Sequence, residues 1–171
     1  MRFLIHKEYI FLAGLFSLFL SYFLGENSSG GAYLDFISTK EFIGAFDDGV
    51  LNGFKWFLSF GQIHLPFFYL LKSILKDFFS QLEIHIFYIF ISSMVPLVFY
   101  KVLKKKYINS DKYYLFLLSL IIFLSPYFRS SAIWVTNDNL GLLFFLISLY
   151  YFLCFQTKNK KYLLYSFLSF L

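Results

Sequence analysis

Apolar residues in this chain gather into five stretches: residues 9–24, 84–103, 113–125, 140–155, and from 162 onward. A helix that crosses a bilayer needs about 20 predominantly apolar residues. The pattern therefore predicts a set of short membrane-spanning helices whose flanking Tyr, Trp and Lys sit at the interface. Pro96 falls inside the second stretch and Pro126 stops the third. No small-residue cleavage site follows the first, so we read it as a retained helix. The fifth has run only ten residues at Leu171, which predicts the N-terminal part of a larger bundle. The expected fold class is all-α: a polytopic transmembrane helix bundle, with residues 1–171 as a single transmembrane domain.

Residues 25–83 are too long for a simple connection and too apolar for a disordered one. They are expected to form the first external loop, carrying two interfacial amphipathic helices. Ser38 and Glu41 have capping-box spacing. From there Phe42, Phe46, Val50, Phe54 and Phe57 recur at helical steps, although Gly44, Gly49 and Gly53 weaken the run. A second helix is predicted from Pro66, a residue suited to a first helical position. Phe67, Leu71, Ile74, Leu75, Phe78 and Leu82 make its stripe, with Lys72, Ser73, Lys76, Asp77, Ser80 and Gln81 opposite. A helix so divided lies in the plane of a membrane interface; the alternative is a core helix of a small external domain.

Composition agrees with lipid as the solvent. The 171 residues are 59% hydrophobic, 25% aromatic and 15% charged, with 27 Phe and 14 Tyr, more rings than one small aqueous core could bury. The net charge of +5 argues for neither DNA nor RNA, because the charges lie between apolar stretches rather than on one soluble face. If the spans alternate, ten of the fifteen basic residues fall on one side, among them Arg2, Lys7, Lys101, Lys104–Lys106, Lys112 and Lys158. The positive-inside rule makes that side cytoplasmic and the N-terminus with it, in a plasma (inner) membrane. Eight of the ten acidic residues fall on the other side. The lone cysteine, Cys154, is expected to be a buried thiol and excludes a disulfide framework.

Three positions, Asp35, His64 and Arg129, could carry chemistry. Asp35 follows two glycines; it could take a proton from a hydroxyl, bind a metal, or serve as a solvated acid near a helix N-terminus. His64 could bind phosphate, ligate a metal or cap a helix. Arg129, alone among basic residues in the stretch 126–139, suits a phosphate through its bidentate fork or a lipid headgroup as an anchor. Asp47 and Asp48 are adjacent and do not face each other on a helix, so they read as a solvated face rather than a metal site. Asp138 is expected to cap the fourth span. No P-loop, GxSxG, HExxH or paired-cysteine motif is present.

The run Gln62-Ile63-His64-Leu65-Pro66-Phe67-Phe68-Tyr69-Leu70-Leu71 resembles the His-Pro-Pro-Leu-Tyr-Tyr-Leu-Leu segment of the GT-C fold glycosyltransferases, membrane enzymes that use polyprenyl-phosphate sugars and include protein mannosyltransferase and aminoarabinose transferase relatives. Ser29-Gly30-Gly31-Ala32-Tyr33-Leu34-Asp35-Phe36 is similar to the glycine-then-aspartate opening of their first external loop. Residues 125–132 look like the loop between their third and fourth helices. Leu65 stands where the pattern has its first Pro, and Phe36 where some members have a second acid. The resemblance implies transfer of a sugar from a polyprenyl-phosphate donor to an acceptor on the external side. Asp35 would act as base or position the acceptor, and Tyr33, His64 and Arg129 would bind substrate. Some members bind a divalent metal ion. The alternative is a non-enzymatic membrane protein such as a transporter, flippase or assembly subunit.

Overall fold

A computed structural model describes residues 6–27, 31–60, 66–155, 165, 166 and 168. Among these residues every regular element is a helix. In chain order they are α1 (Lys7–Phe23), α2 (Ala32–Gly44), α3 (Val50–Phe60), α4 (Phe67–Lys76), α5 (Gln81–Lys106), α6 (Lys112–Leu120), a 3-10 turn (Ile121–Leu124), α7 (Pro126–Trp134) and α8 (Asp138–Phe155). Two of them, α5 and α8, are long and apolar enough to cross a membrane. A third span results if α6 with its 3-10 turn and α7 count as one, although they bend by 65° at the break. At seventeen residues α1 is about 25 Å long, a little under a hydrocarbon core of about 30 Å. The fifth apolar stretch lies almost wholly outside the described residues; Ser166 within it accepts a hydrogen bond of 2.7 Å from the Ser148 hydroxyl through its carbonyl.

Local chemistry sets the boundaries. Ser80 and Glu83 form a reciprocal capping box that opens α5. Asp111 accepts from Tyr113 N–H at the start of α6, and Ser125 from Phe128 N–H at the start of α7. Pro126 therefore stops one helix by starting another, at the first position where its missing N–H costs nothing. What the pattern presented as an external loop is mostly the helix α7. Pro96 stays inside a continuous α5.

Of the two interfacial helices expected to make a platform within residues 25–83, the first is two. Residues 45–49 turn the chain, with Gly49 at φ +105°, a conformation that favours glycine. The turn redirects the chain so that Phe42 of α2 meets Trp56 and Phe57 of α3, and Phe46 packs against Phe57 at 5.6 Å. Gly53 permits this, since a Cβ there would strike the Phe46 ring. Ser38 and Glu41 lie inside α2 and cap nothing. The second platform helix does begin after Pro66, but it ends at Lys76 rather than running on to Leu82.

Two apolar clusters hold the chain together. One joins α1, α5, α6, α7 and α8 through Leu18, Ile89, Val95, Phe123, Phe128 and Leu143. The other, largely aromatic, gathers Phe46, Phe57, Phe68, Tyr69, Tyr88 and Val135 beneath α2, α3 and α4. Outside them the usual distribution is inverted. Tyr9, Leu12, Phe16, Leu20 and Phe23, one stripe of α1, are 48% to 71% exposed. Ser92, Ser93, Ser119, Ser130, Ser131, His85 and Asn139 are buried. On α4, Phe67 and Ile74 point outward, while Lys72 and Ser73 are enclosed. Lys72 Nζ donates to the Val135 carbonyl and lies 4.5 Å over the Phe68 ring.

Two outcomes follow from this packing. Gly14 of α1 lies so close to the Phe123 ring that a Cβ would overlap it, so Gly14→Val is expected to cost about 1–3 kcal/mol. Thermal unfolding in detergent checks this, and an unchanged midpoint would remove the contact. Burial lowers the Lys72 amine to about 7. Between that value and the ordinary lysine pKa of about 10.4, the unfolded chain binds the extra proton. Stability is therefore expected to rise with pH across this window. Lys72→Met should flatten the rise; equal slopes for both proteins would contradict the burial.

Candidate functional site

Asp35 sits in the first turn of α2, where the positive end of the helix dipole favours a negative charge. It lines a cavity of about 280 Å³ together with Ser38 and Thr39 of α2, Tyr69 of α4, Tyr127 of α7, and the turn Thr136–Asp138. Asp138 is the first residue of α8, so two carboxylates at two helix starts share one space. Tyr127 of α7 and Asp138 line this cavity together. Asn137 Nδ2 donates to the Tyr69 phenol oxygen at 3.3 Å. Burial raises the Tyr69 pKa; the Asn137 bond works against that rise, and the Asp35 and Asp138 carboxylates add to it. Tyr69 therefore acts as a neutral donor and acceptor beside two acids.

The turn that carries Asp138 is held from several sides. Val135 adopts left-handed φ/ψ of 54° and 45°, a strained conformation for a β-branched residue. Its carbonyl accepts from Lys72 and that of Thr136 accepts from the Tyr88 phenol. Thr136 Oγ1 donates to Asp138 Oδ2 at 2.6 Å and lies 2.7 Å from Ser131 Oγ. Asn139 Nδ2 donates to the Phe128 carbonyl at 2.9 Å and to Ser92 Oγ at 3.2 Å. The residues around Asp138 are fixed before any ligand arrives, which is what a positioned acid requires.

Of the four predicted site residues, this cavity contains Asp35. His64 lies outside the described residues. Arg129 faces α1 instead: Nε donates to Glu26 Oε1 at 2.9 Å, Nη2 to Glu26 Oε2 at 2.7 Å, and Nη1 to Ser17 Oγ at 3.0 Å and the Phe123 carbonyl at 3.2 Å. Nη2 also donates to Ser21 Oγ. Trp134 Nε1 donates to the Glu26 carbonyl at 2.9 Å, and the Tyr33 ring meets Trp134 edge-on at 4.9 Å. Tyr33 and Arg129 thus belong to one contact between the end of α1 and α7. Asp47, expected to be solvated, pairs with Lys76 of α4.

Sequence reasoning passed over Tyr69, Tyr127, Asn137 and Asp138 as contributors to this cavity. A signal was present, since Asn137-Asp138-Asn139 places three polar residues in a row at the mouth of an apolar run. Among the described residues no three His, Cys, Asp or Glu side chains come together to hold a metal ion. Asp35 and Asp138 supply two carboxylates, and no step is assigned to a metal. Comparison with protein-family models, with curated proteins and with solved structures finds no match for this chain.

The geometry around Arg129 makes a stability test direct. Arg129→Met removes the guanidinium that meets the half-buried Glu26 carboxylate and is expected to cost about 3 kcal/mol. Arg129→Lys should recover only part of this, since an ammonium lacks the bidentate fork. Pairing Arg129→Met with Glu26→Gln should recover more. Additive losses in the double-mutant cycle, read by unfolding in detergent, would show that the pair is not coupled.

Proposed function

We propose that this chain is a membrane glycosyltransferase, or the N-terminal part of one, that moves a sugar from a polyprenyl-phosphate donor to an acceptor hydroxyl. In this reading α1, α5, the bent α6–α7 pair and α8 form a polytopic bundle in the plasma membrane, with the N-terminus cytoplasmic. The helices α2 to α4 lie at the external interface. The observation that carries the reading is the fixed, polar cavity around Asp35, set at the head of helices whose outward faces are apolar. Such a cavity brings a water-soluble acceptor to the depth of a lipid headgroup.

The chemistry is balanced with few groups. The acceptor oxygen forms a bond to the sugar's anomeric carbon, and the bond from that carbon to the phosphate oxygen breaks. The acceptor proton passes to Asp35, and the polyprenyl phosphate leaves with the bonding electrons. Asp138 and Tyr127 orient the acceptor through hydrogen bonds, and Tyr69, kept protonated, adds a further donor. The hydroxyl and amide groups gathered around Asp35, from Ser38, Thr39, Tyr69, Tyr127 and Asn137, suit a sugar or another polyhydroxy acceptor.

Asp35→Asn keeps the shape of the side chain and removes the base. It is expected to lower sugar transfer by at least about a hundredfold, with insertion into membranes unchanged. The assay uses membranes containing the protein and a panel of hexoses and pentoses linked to polyprenyl phosphate. Transfer by Asp35→Asn at the wild-type rate would remove Asp35 from the mechanism. Absence of transfer by the wild type from every donor would overturn the reading.

A further inference from the structure

A second cavity, of about 440 Å³, lies on a different face of α2 from the one that carries Asp35. Beside the neutral Ser80 and Gln81, its polar lining is mostly basic: Lys40 from α2, Lys72 and Lys76 from α4, and His85 from α5, with Asp47 as the carboxylate. Three ammonium groups face one carboxylate. Fully charged, they leave an excess of two positive charges, and Asp47 is already paired with Lys76. His85 Nδ1 lies 2.6 Å from the Ile133 carbonyl. A carbonyl only accepts, so Nδ1 carries the proton and Nε2 faces the opposite way. That Nε2 is buried without a partner, although the residue is only 2% exposed. A buried imidazole nitrogen left open costs free energy unless something meets it.

The cavity continues into a groove of quite different character. Phe79 and Ile84 line both the basic cavity and a neighbouring space of about 280 Å³. That space is walled by Leu75, Ile86, Phe87 and Phe90, with Glu83, which caps α5 through Ser80, as its one charged residue, and its surface is almost entirely apolar. Phe87 and Phe90 belong to the outward face of α5, one of the two helices long enough to cross a membrane. A positively charged pocket opening onto an apolar groove along a membrane helix matches an amphiphile with an anionic head and a hydrocarbon tail.

We infer that this cavity and groove bind a lipid phosphate monoester, its phosphate among Lys40, Lys72, Lys76 and His85 Nε2 and its chain along Phe79, Phe87 and Phe90. With Lys72 protonated, the two excess positive charges match the two negative charges of a monoester better than the single charge of a phosphodiester. Two terminal oxygens can accept from the lysines; Nε2, unprotonated in the free site, meets the third only by taking up a proton, which the phosphate's charge favours. The low pKa of Lys72 fits a site that awaits an anion, since a bound phosphate favours the protonated amine. The inference stands on charge and shape. It deepens the transferase reading at one point and rests on that reading there: a lipid phosphate monoester is the leaving group of the transfer. Lying on another face of α2 from Asp35, the cavity receives it after release and takes no part in breaking the bond.

Binding is measured on the full chain in nanodiscs by titration calorimetry with farnesyl phosphate, inorganic phosphate and farnesol. Farnesyl phosphate is expected to bind at least about tenfold more tightly than either of the others. Lys40 is exposed and its recorded contact is with the Phe36 ring, so Lys40→Gln should fold normally. It should weaken farnesyl phosphate by about tenfold. Phe87→Ser should weaken farnesyl phosphate and leave inorganic phosphate unchanged. Farnesol or inorganic phosphate binding as tightly as farnesyl phosphate would overturn the inference. So would unaltered affinity in both Lys40→Gln and Lys72→Met, each shown folded by circular dichroism. Farnesyl phosphate binding without sugar transfer from any donor sinks the transferase reading and keeps this site. Sugar transfer without such binding sinks this site alone.

Discussion

The bidentate contact between Arg129 and Glu26 ties the end of α1 to α7 across a hundred residues of chain. An arginine among apolar helices must have its donors met, because unpaired charge in such a setting costs several kcal/mol. Here the carboxylate, two serine hydroxyls and a backbone carbonyl meet it. The position of α7 follows from this. So does that of the 135–138 turn, because Ser131 and Phe128 on α7 hold Thr136 and Asn139. The Asp35 cavity is roofed by residues whose placement depends on that one ion pair. A guanidinium that looks from the sequence like a ligand for phosphate acts in the folded chain as the strut of the site.

Strong periodic stretches were legible because their signal is redundant. The helices α5 and α8 declare themselves through length and hydropathy, and Pro66 marks the start of α4 within a residue. The break between α2 and α3 was not legible in the same way. Phe42, Phe46, Val50, Phe54 and Phe57 keep helical spacing across it, so periodicity alone favours one helix. The deciding fact is that Phe46 and Phe57 pack on each other, a contact only the turn between the helices creates. Ser125 and Pro126 illustrate a different ambiguity: the same pair that ends one helix caps and begins the next, and a 65° bend has no counterpart in composition.

The candidate site was half visible. Asp35 could be singled out by its place after two glycines, yet its partners come from α4, α7 and α8, separated from it by 34 to about 100 residues. Asp138 looked like a cap because it stands where caps stand, and it is also a cavity wall. Lys72 was placed on the polar face of an interfacial helix. The apolar stripe of Phe67, Leu71 and Ile74 is exposed, and of the polar face Lys72 and Ser73 are enclosed while Lys76 and Asp77 remain exposed. Amphipathicity defines two faces of a helix but not which of them meets the protein; that depends on whether water or hydrocarbon lies outside.

That inversion has a consequence for how such a chain tolerates change. On α1, residues such as Phe16 and Phe23 touch mainly what surrounds the protein, so exchange among Phe, Leu and Ile there alters little. Ser92, Ser119 and Ser130 are small and fully enclosed between helices, and an added methyl group has nowhere to go. Variation in this chain should therefore collect at its large hydrophobic residues and spare its small polar ones. The residues that dominate its composition are the least informative about its ancestry, and the inconspicuous serines carry the record of the fold.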